Sequence, residues 1–221
     1  MSAARILVIA MAVLVEGLSG AVIDQFSSGE QMVSKSVPSS EEVLADPVEL
    51  SGSLFATRTM SVWYGVQSLR VNTTLGRMEY VNVDSGLPGN DRGYFEVFYQ
   101  AAGPVDLRAD GANAIRLSFH HLAPIDRYFS RFGVTMESNL GVGGGSGSVV
   151  SSGQGYTVDI PFADFSNVDL TTVTSLRIQE SRLPEGHAFS LSFIETVPEP
   201  RSILLMLAAA PFLLPRRRDF D

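Results

Sequence analysis

Cysteine is absent from the chain, which excludes disulfides, thiolate metal sites and cysteine nucleophiles. A protein built this way relies on packing, or on bound ions, for its stability. Lysine is nearly absent too: Lys35 stands alone among 16 basic residues. Histidine is limited to His120, His121 and His187, so any histidine base must be one of these three. His120 and His121 are neighbours, and on a strand they point to opposite faces and share no metal; they read as the end of a strand. His187 follows Leu-Pro-Glu-Gly and reads as a solvated turn residue. The sequence contains no H-E-x-x-H, no G-x-S-x-G and no phosphate-cradling glycine loop, so no catalytic residue is assigned. Positive charge is scarce. The body of the chain, without its two ends, holds 11 basic and 20 acidic residues, a balance that repels nucleic acid and anionic membrane.

No apolar run reaches the ~20 residues of a transmembrane helix, but both ends carry shorter ones. At the start, Arg5 precedes the run Ile6 to Val15, followed by the small residues Ser19, Gly20 and Ala21. Basic start, apolar middle and small-residue exit define a secretory signal over residues 1–21, cut by signal peptidase after Ala21. At the other end, "VPEPRSILLMLAAAPFLLPRRRDFD" sets the 14 residues Ser202 to Pro215 between Pro-Glu-Pro and three arginines. That run spans ~21 Å as a helix, short of the ~30 Å hydrocarbon core. Arg216, Arg217 and Arg218 resist crossing a bilayer and favour its cytoplasmic side, as does Arg5. Both ends together place residues 22–196 outside the cytoplasmic membrane.

These terminal residues resemble the PEP-CTERM sorting signal of Gram-negative bacteria that make extracellular polysaccharide. The resemblance implies that residues 197–221 hold the exported protein in the inner membrane until exosortase, a membrane-embedded cysteine transpeptidase-like enzyme, removes the tail. Pro198, Glu199 and Pro200 would be the recognition triplet, Ser202 to Pro215 the temporary anchor, and Arg216 to Arg218 the stop-transfer charge. Two prolines would keep the triplet extended and free of secondary structure.

Between the two ends the dominant period is two. Met60, Val62 and Tyr64 alternate with Thr59, Ser61 and Trp63. Phe95, Val97 and Tyr99 alternate with Tyr94, Glu96 and Phe98, and Ile115, Leu117 and Phe119 with Arg116, Ser118 and His120. The pattern recurs at Tyr156, Val158, Ile160 and Phe162, at Leu176 and Ile178, and at Phe189, Leu191 and Phe193. "SLRVNT", "RMEYVNV" and "FGVTMES" are further strands. Such half-buried strands bounded by turn residues predict an all-β antiparallel sandwich of the jelly-roll kind, flanked by an N-terminal signal helix and a C-terminal apolar helix. Asp110-Gly111 reads as a hairpin turn, "GVGGGSGS" from Gly141 as a flexible loop, and Ser28 to Pro47 as a long loop or frayed edge. "YTVDIPFADFSNVDLTTVTSLRIQ" (Tyr156 to Gln179) is similar to the penultimate section of galactose-binding-like jelly rolls, including many carbohydrate-binding modules. In that arrangement Phe162 and Phe165 plug one end of the sandwich, while Val168, Leu170 and Val173 pin the crossover.

Asp84, Asn90 and Asp91 lie in "NVDSGLPGNDRG" among carbonyls freed by Gly and Pro, a donor set suited to calcium; an ordinary turn accounts for the same composition, and no other cofactor is implied. Sugar binding would use exposed rings. Tyr94 and Tyr128 are candidates, and Trp63 is out of phase with its strand's apolar face; a one-residue slip or bulge would carry Trp63 into the core, the reading its size favours. The expectation is a non-enzymatic β-sandwich of the cell surface or extracellular matrix, processed by exosortase and associated with polysaccharide. A carbohydrate-binding module for exopolysaccharide, and a glycoside hydrolase using a carboxylate pair, are the alternatives.

Overall fold

The computed structural model describes residues 20–83, 93–122, 130–149, 153–183 and 186–198. They form fourteen strands in two antiparallel sheets. The first sheet runs β12 (Gly153–Pro161), β9 (Ala112–Leu122), β14 (Ala188–Pro198), β7 (Arg77–Val83), β6 (Val66–Asn72) and β2 (Gln31–Lys35), and β1 (Val22–Asp24) also pairs with β14. The second runs β11 (Gly141–Val149), β10 (Ser130–Ser138), β13 (Val173–Leu183), β8 (Gly93–Val105), β5 (Thr57–Tyr64) and β3 (Ser39–Leu44), with β4 (Val48–Glu49) on β5. The chain crosses repeatedly from one sheet to the other, which makes the fold an all-β antiparallel sandwich with the interleaving of a jelly roll. Among the described residues no helix is long and apolar enough to cross a membrane; the expected signal helix and C-terminal helix lie outside them.

Alternation decides which residues face inward. Phe95, Val97 and Tyr99, then Ile115, Leu117 and Phe119, are all buried as their phase predicts. An aromatic seam joins the sheets. Phe119 lies 4.9 Å from Phe132, Phe132 5.4 Å from Phe189, and Phe189 5.2 Å from Tyr80, centroid to centroid. Such offset and edge contacts add to the area that each ring removes from water. Phe162 and Phe165 are buried edge to face at 6.4 Å, and Leu170 and Val173 are buried in the same core.

Several expectations need correction. "GVGGGSGS" is not a loop but edge strand β11, paired with β10 from Gly141 to Val149. Its inward glycines let it close against the neighbouring layer: a Cβ on Gly143 would lie 2.4 Å from the Ser166 carbonyl oxygen, and one on Gly147 2.2 Å from Val158 Cγ1. Asp110-Gly111 is not a hairpin. It forms a 3₁₀ turn between β8 of one sheet and β9 of the other, with left-handed φ of 60° and 74°. Ser28 to Pro47 contains β2 and β3, edge strands of different sheets, so the edge was legible and the pairing was not. In β14 the register shifts between Leu191 and Phe193, so Ile194 rather than Phe193 enters the core. Strand β14 also outruns the expected boundary at 196. Val197 is buried and Pro198 pairs with Ala112, so the first proline of the triplet ends a strand, where its missing N–H costs the ladder little. The chain's entry is fixed beside its exit: Ala21 N donates to Thr196 Oγ1 at 2.9 Å and Thr196 N to the Ala21 carbonyl at 3.0 Å.

One polar cluster is buried with the core. Arg58 Nη1 donates to Asp24 Oδ2 at 2.6 Å, its Nε to Gln31 Oε1 at 3.2 Å, and its Nη2 to the Gly29 carbonyl. The Tyr99 hydroxyl donates to the same Asp24 oxygen at 3.1 Å, and Phe26 N to Asp24 Oδ1 at 2.7 Å. The cluster ties β1 and the segment after it to the opposite sheet. Burial, then the nearby Asp24 carboxylate, holds the Tyr99 hydroxyl well above its usual pKa.

Candidate functional site

The outward face of the second sheet carries an aromatic and polar surface that strand alternation alone does not demand. Three rows cross it. Trp63 stands opposite Tyr94; Ser61, Glu96, Gln179 and Gly133 form the next row; Thr59, Phe98, Arg177 and Thr135 form the third. Trp63 and Tyr94 meet edge to face, 4.6 Å between centroids at 78°. Tyr94 donates its hydroxyl proton to Gln179 Oε1 at 2.8 Å. Arg177 Nε contacts Glu96 Oε1 at 3.2 Å while the guanidinium lies 5.6 Å from the Phe98 ring centre. Gly133 leaves the flank of Gln179 open; a Cβ there would sit 3.4 Å from its Cγ. Ser61 is buried at 3% exposure, while Trp63, Tyr94, Glu96, Phe98, Arg177 and Gln179 are half-buried or exposed, so the surface they form is ordered by its own contacts and still reachable.

Electrostatics give the face a slight negative bias. Burial raises the Glu96 carboxyl above its usual range, Arg177 opposes that, and Glu42 on β3 adds to it. Burial is also the main cause of the raised Tyr94 hydroxyl; Glu96 adds to it, Arg177 opposes it, and Glu42 and Tyr64 contribute less. The outward face of the first sheet is ordinary by comparison. Around Arg116 it is charged, with Asp159 accepting two bonds at 2.7 and 2.8 Å and Glu195 alongside.

The sequence-predicted residues fall as follows. Trp63 is not in the core: it keeps its phase and lies half-buried on the outer face. Tyr64, placed by alternation on the inner face with Met60 and Val62, is instead exposed. His187 is not solvated. It is 2% exposed, and burial lowers its pKa to about 4. Its Nε2 has no hydrogen-bond partner among the described residues. His120 and His121 are both exposed near the end of β9. Asp84, Asn90 and Asp91 of the calcium expectation, Tyr128, and Glu199, Pro200 and Arg216 to Arg218 of the sorting signal lie outside the described residues. Within those residues, no group of three His, Asp or Glu is placed to hold a metal.

Phe98, Arg177 and Gln179 were missed. "SLRIQE" does point Arg177 and Gln179 away from the apolar face, but nothing local says that they lie beside Glu96 and Phe98, some eighty positions earlier.

No family model and no curated protein matches the chain. Among solved structures, it is similar to a family 11 carbohydrate-binding module from Clostridium thermocellum solved with a β-1,3-1,4-mixed-linked tetrasaccharide: 14% identity, 82% of this chain and 96% of that one, TM-score 0.44. An exo-β-agarase matches at 8% identity over 82% of this chain and 25% of its own, with TM-score 0.43. TmCBM61, solved with β-1,4-galactotriose, matches at 11% identity over 78% of this chain and 90% of its own, with TM-score 0.32. At such identities no ligand or activity passes to this chain.

Proposed function

We propose that this is an exported, non-enzymatic glycan-binding sandwich of the cell envelope, and that the outer face of the second sheet takes the polysaccharide. The supporting observation is the Trp63, Tyr94 and Phe98 surface interleaved with Gln179, Arg177 and Glu96. Rings offer a stacking surface for the C–H face of a sugar, and fixed amide, guanidinium and carboxylate groups offer the hydroxyls partners. A glycan array probed with the wild-type protein tests the reading: spots that bind it and lose at least tenfold with Trp63→Ala support it, and an array with no bound spot defeats it.

The raised Glu96 carboxyl, with Glu42 on the same face, is what favours the alternative of a hydrolase. That reading requires reducing ends to be released from a bound glycan and the release to stop with Glu96→Gln. For localisation we propose the route that the terminal signals imply: export by an N-terminal signal, temporary inner-membrane anchoring by the tail, and removal of the tail by exosortase near Pro198, Glu199 and Pro200. Mass spectrometry of the mature C-terminus separates processing from a permanent anchor. A chain that still ends at Asp221 in washed membranes of a host with exosortase rules processing out.

A further inference from the structure

Tyr64 has a backbone φ of 62°, the left-handed region that Gly, Asn and Asp occupy at little cost and a bulky side chain does not. The cause is local. Strand β5 ends at Tyr64 and β6, in the other sheet, begins at Val66, so one residue, Gly65, carries the chain between layers. A Cβ on Gly65 would meet Asn82 Oδ1 at 2.8 Å, so a side chain there would require Asn82 to shift. The twist turns Tyr64 away from the core that alternation would give it. The residue is 52% exposed, so burial returns little for the strain. Its cross-strand neighbours are Ser39 and Gly93, both small. It adjoins Trp63 in the chain and lies close enough to act electrostatically on the Tyr94 hydroxyl.

We propose that Tyr64 is a further ring of the glycan platform, kept outward by its left-handed backbone, and that the platform selects a single uncharged glycan chain. This rests on the glycan-binding reading and adds to it a specificity residue and a substrate class. A strained, exposed aromatic beside an aromatic pair is what a ligand-contacting ring looks like when its cost is not recovered by packing. The charge selection follows from Arg177, whose guanidinium is engaged by Glu96 and Phe98, while Glu42 and Glu96 leave negative charge on the face. A polyuronate chain meets repulsion there. The 78° angle between Trp63 and Tyr94 also presents no coplanar floor for a flat array of chains.

Native affinity electrophoresis of the full chain in mild detergent tests this, using gels that contain soluble mixed-linkage β-glucan, galactan, galactomannan or alginate. The expected result is retardation of the wild type in at least one neutral gel and none in alginate. Tyr64→Phe should behave as wild type. Tyr64→Asn should lose roughly fivefold or more in affinity while its thermal midpoint stays level or rises by roughly 2–4 °C as the strain is relieved. If Tyr64→Asn binds like the wild type in a gel where Trp63→Ala does not, Tyr64 is no part of the platform and the glycan reading stands. A midpoint that falls by several degrees makes the ring structural and overturns the role. Retardation in alginate overturns the charge selection alone. A wild type that no gel retards overturns the glycan reading and this inference together.

Discussion

Two clusters in this molecule use nearly the same groups to different ends. Inside, Arg58 meets Asp24, Gln31 and the ring of Phe26, and Tyr99 shares the carboxylate. Outside, Arg177 meets Glu96 and the ring of Phe98, and Tyr94 holds Gln179 beside them. The same strand, β8, supplies Tyr99 to one and Tyr94, Glu96 and Phe98 to the other. Side-chain exposure separates them: 0% for Arg58 and 4% for Asp24, against 46% for Arg177 and 15% for Glu96. Where water is excluded, each lone pair and proton must be answered within the protein, and the result is a clamp. Where water remains, the contacts only orient the groups, which stay available to a ligand.

The contrast is broken most severely from the inside. Arg58→Met leaves Asp24 as a buried carboxylate without its cation and should cost about 3–5 kcal/mol in urea unfolding, followed through the fluorescence of the single tryptophan, Trp63. Adding Asp24→Leu should recover part of that loss; a double variant as unstable as the single one would mean that the pair itself, not the stranded charge, is what matters.

His187 is a buried polar group of a different kind, titratable and without a partner on Nε2. Its folded pKa of about 4 lies below the ordinary 6.5, so the unfolded chain binds the proton first as pH falls. Full stability is present above about pH 6.5 and is progressively lost down to about pH 4, by an amount on the order of 2–3 kcal/mol. His187→Gln should flatten that part of the pH profile. An unchanged slope would place the titration elsewhere.

Smaller effects sharpen the comparison. Gly147→Ala pushes a methyl into Val158 and should cost about 1–3 kcal/mol, with no change in any surface property. Arg177→Ala removes the outer cluster's cation and should cost less than about 1 kcal/mol, since exposed ion pairs contribute little. It should nevertheless alter glycan binding. A loss of stability as large as that of Arg58→Met would show that the outer face is a clamp as well.

Much of the sandwich was legible because strand alternation is a local record of burial: Phe95, Val97, Tyr99, Ile115, Leu117 and Phe119 all face inward as their spacing requires. Legibility failed where a neighbour outside the window decided the outcome. The glycines of β11 look like a loop until the layer against them leaves no room for a Cβ. Phe193 loses its core position to a register shift, and His187 is buried by elements that its own turn does not reveal.

Determined by the sequence itself were the all-β class, the antiparallel period, the acidic balance and the absence of thiol chemistry. Each is a property of composition or of neighbours along the chain. The tertiary structure decided which outward residues share a surface, because the pairing of β5 with β8 and of β8 with β13 brings Trp63, Tyr94, Glu96, Phe98, Arg177 and Gln179 together from three separate segments. It also turned Tyr64 outward, since only the single-residue crossing between sheets forces that backbone into the left-handed region.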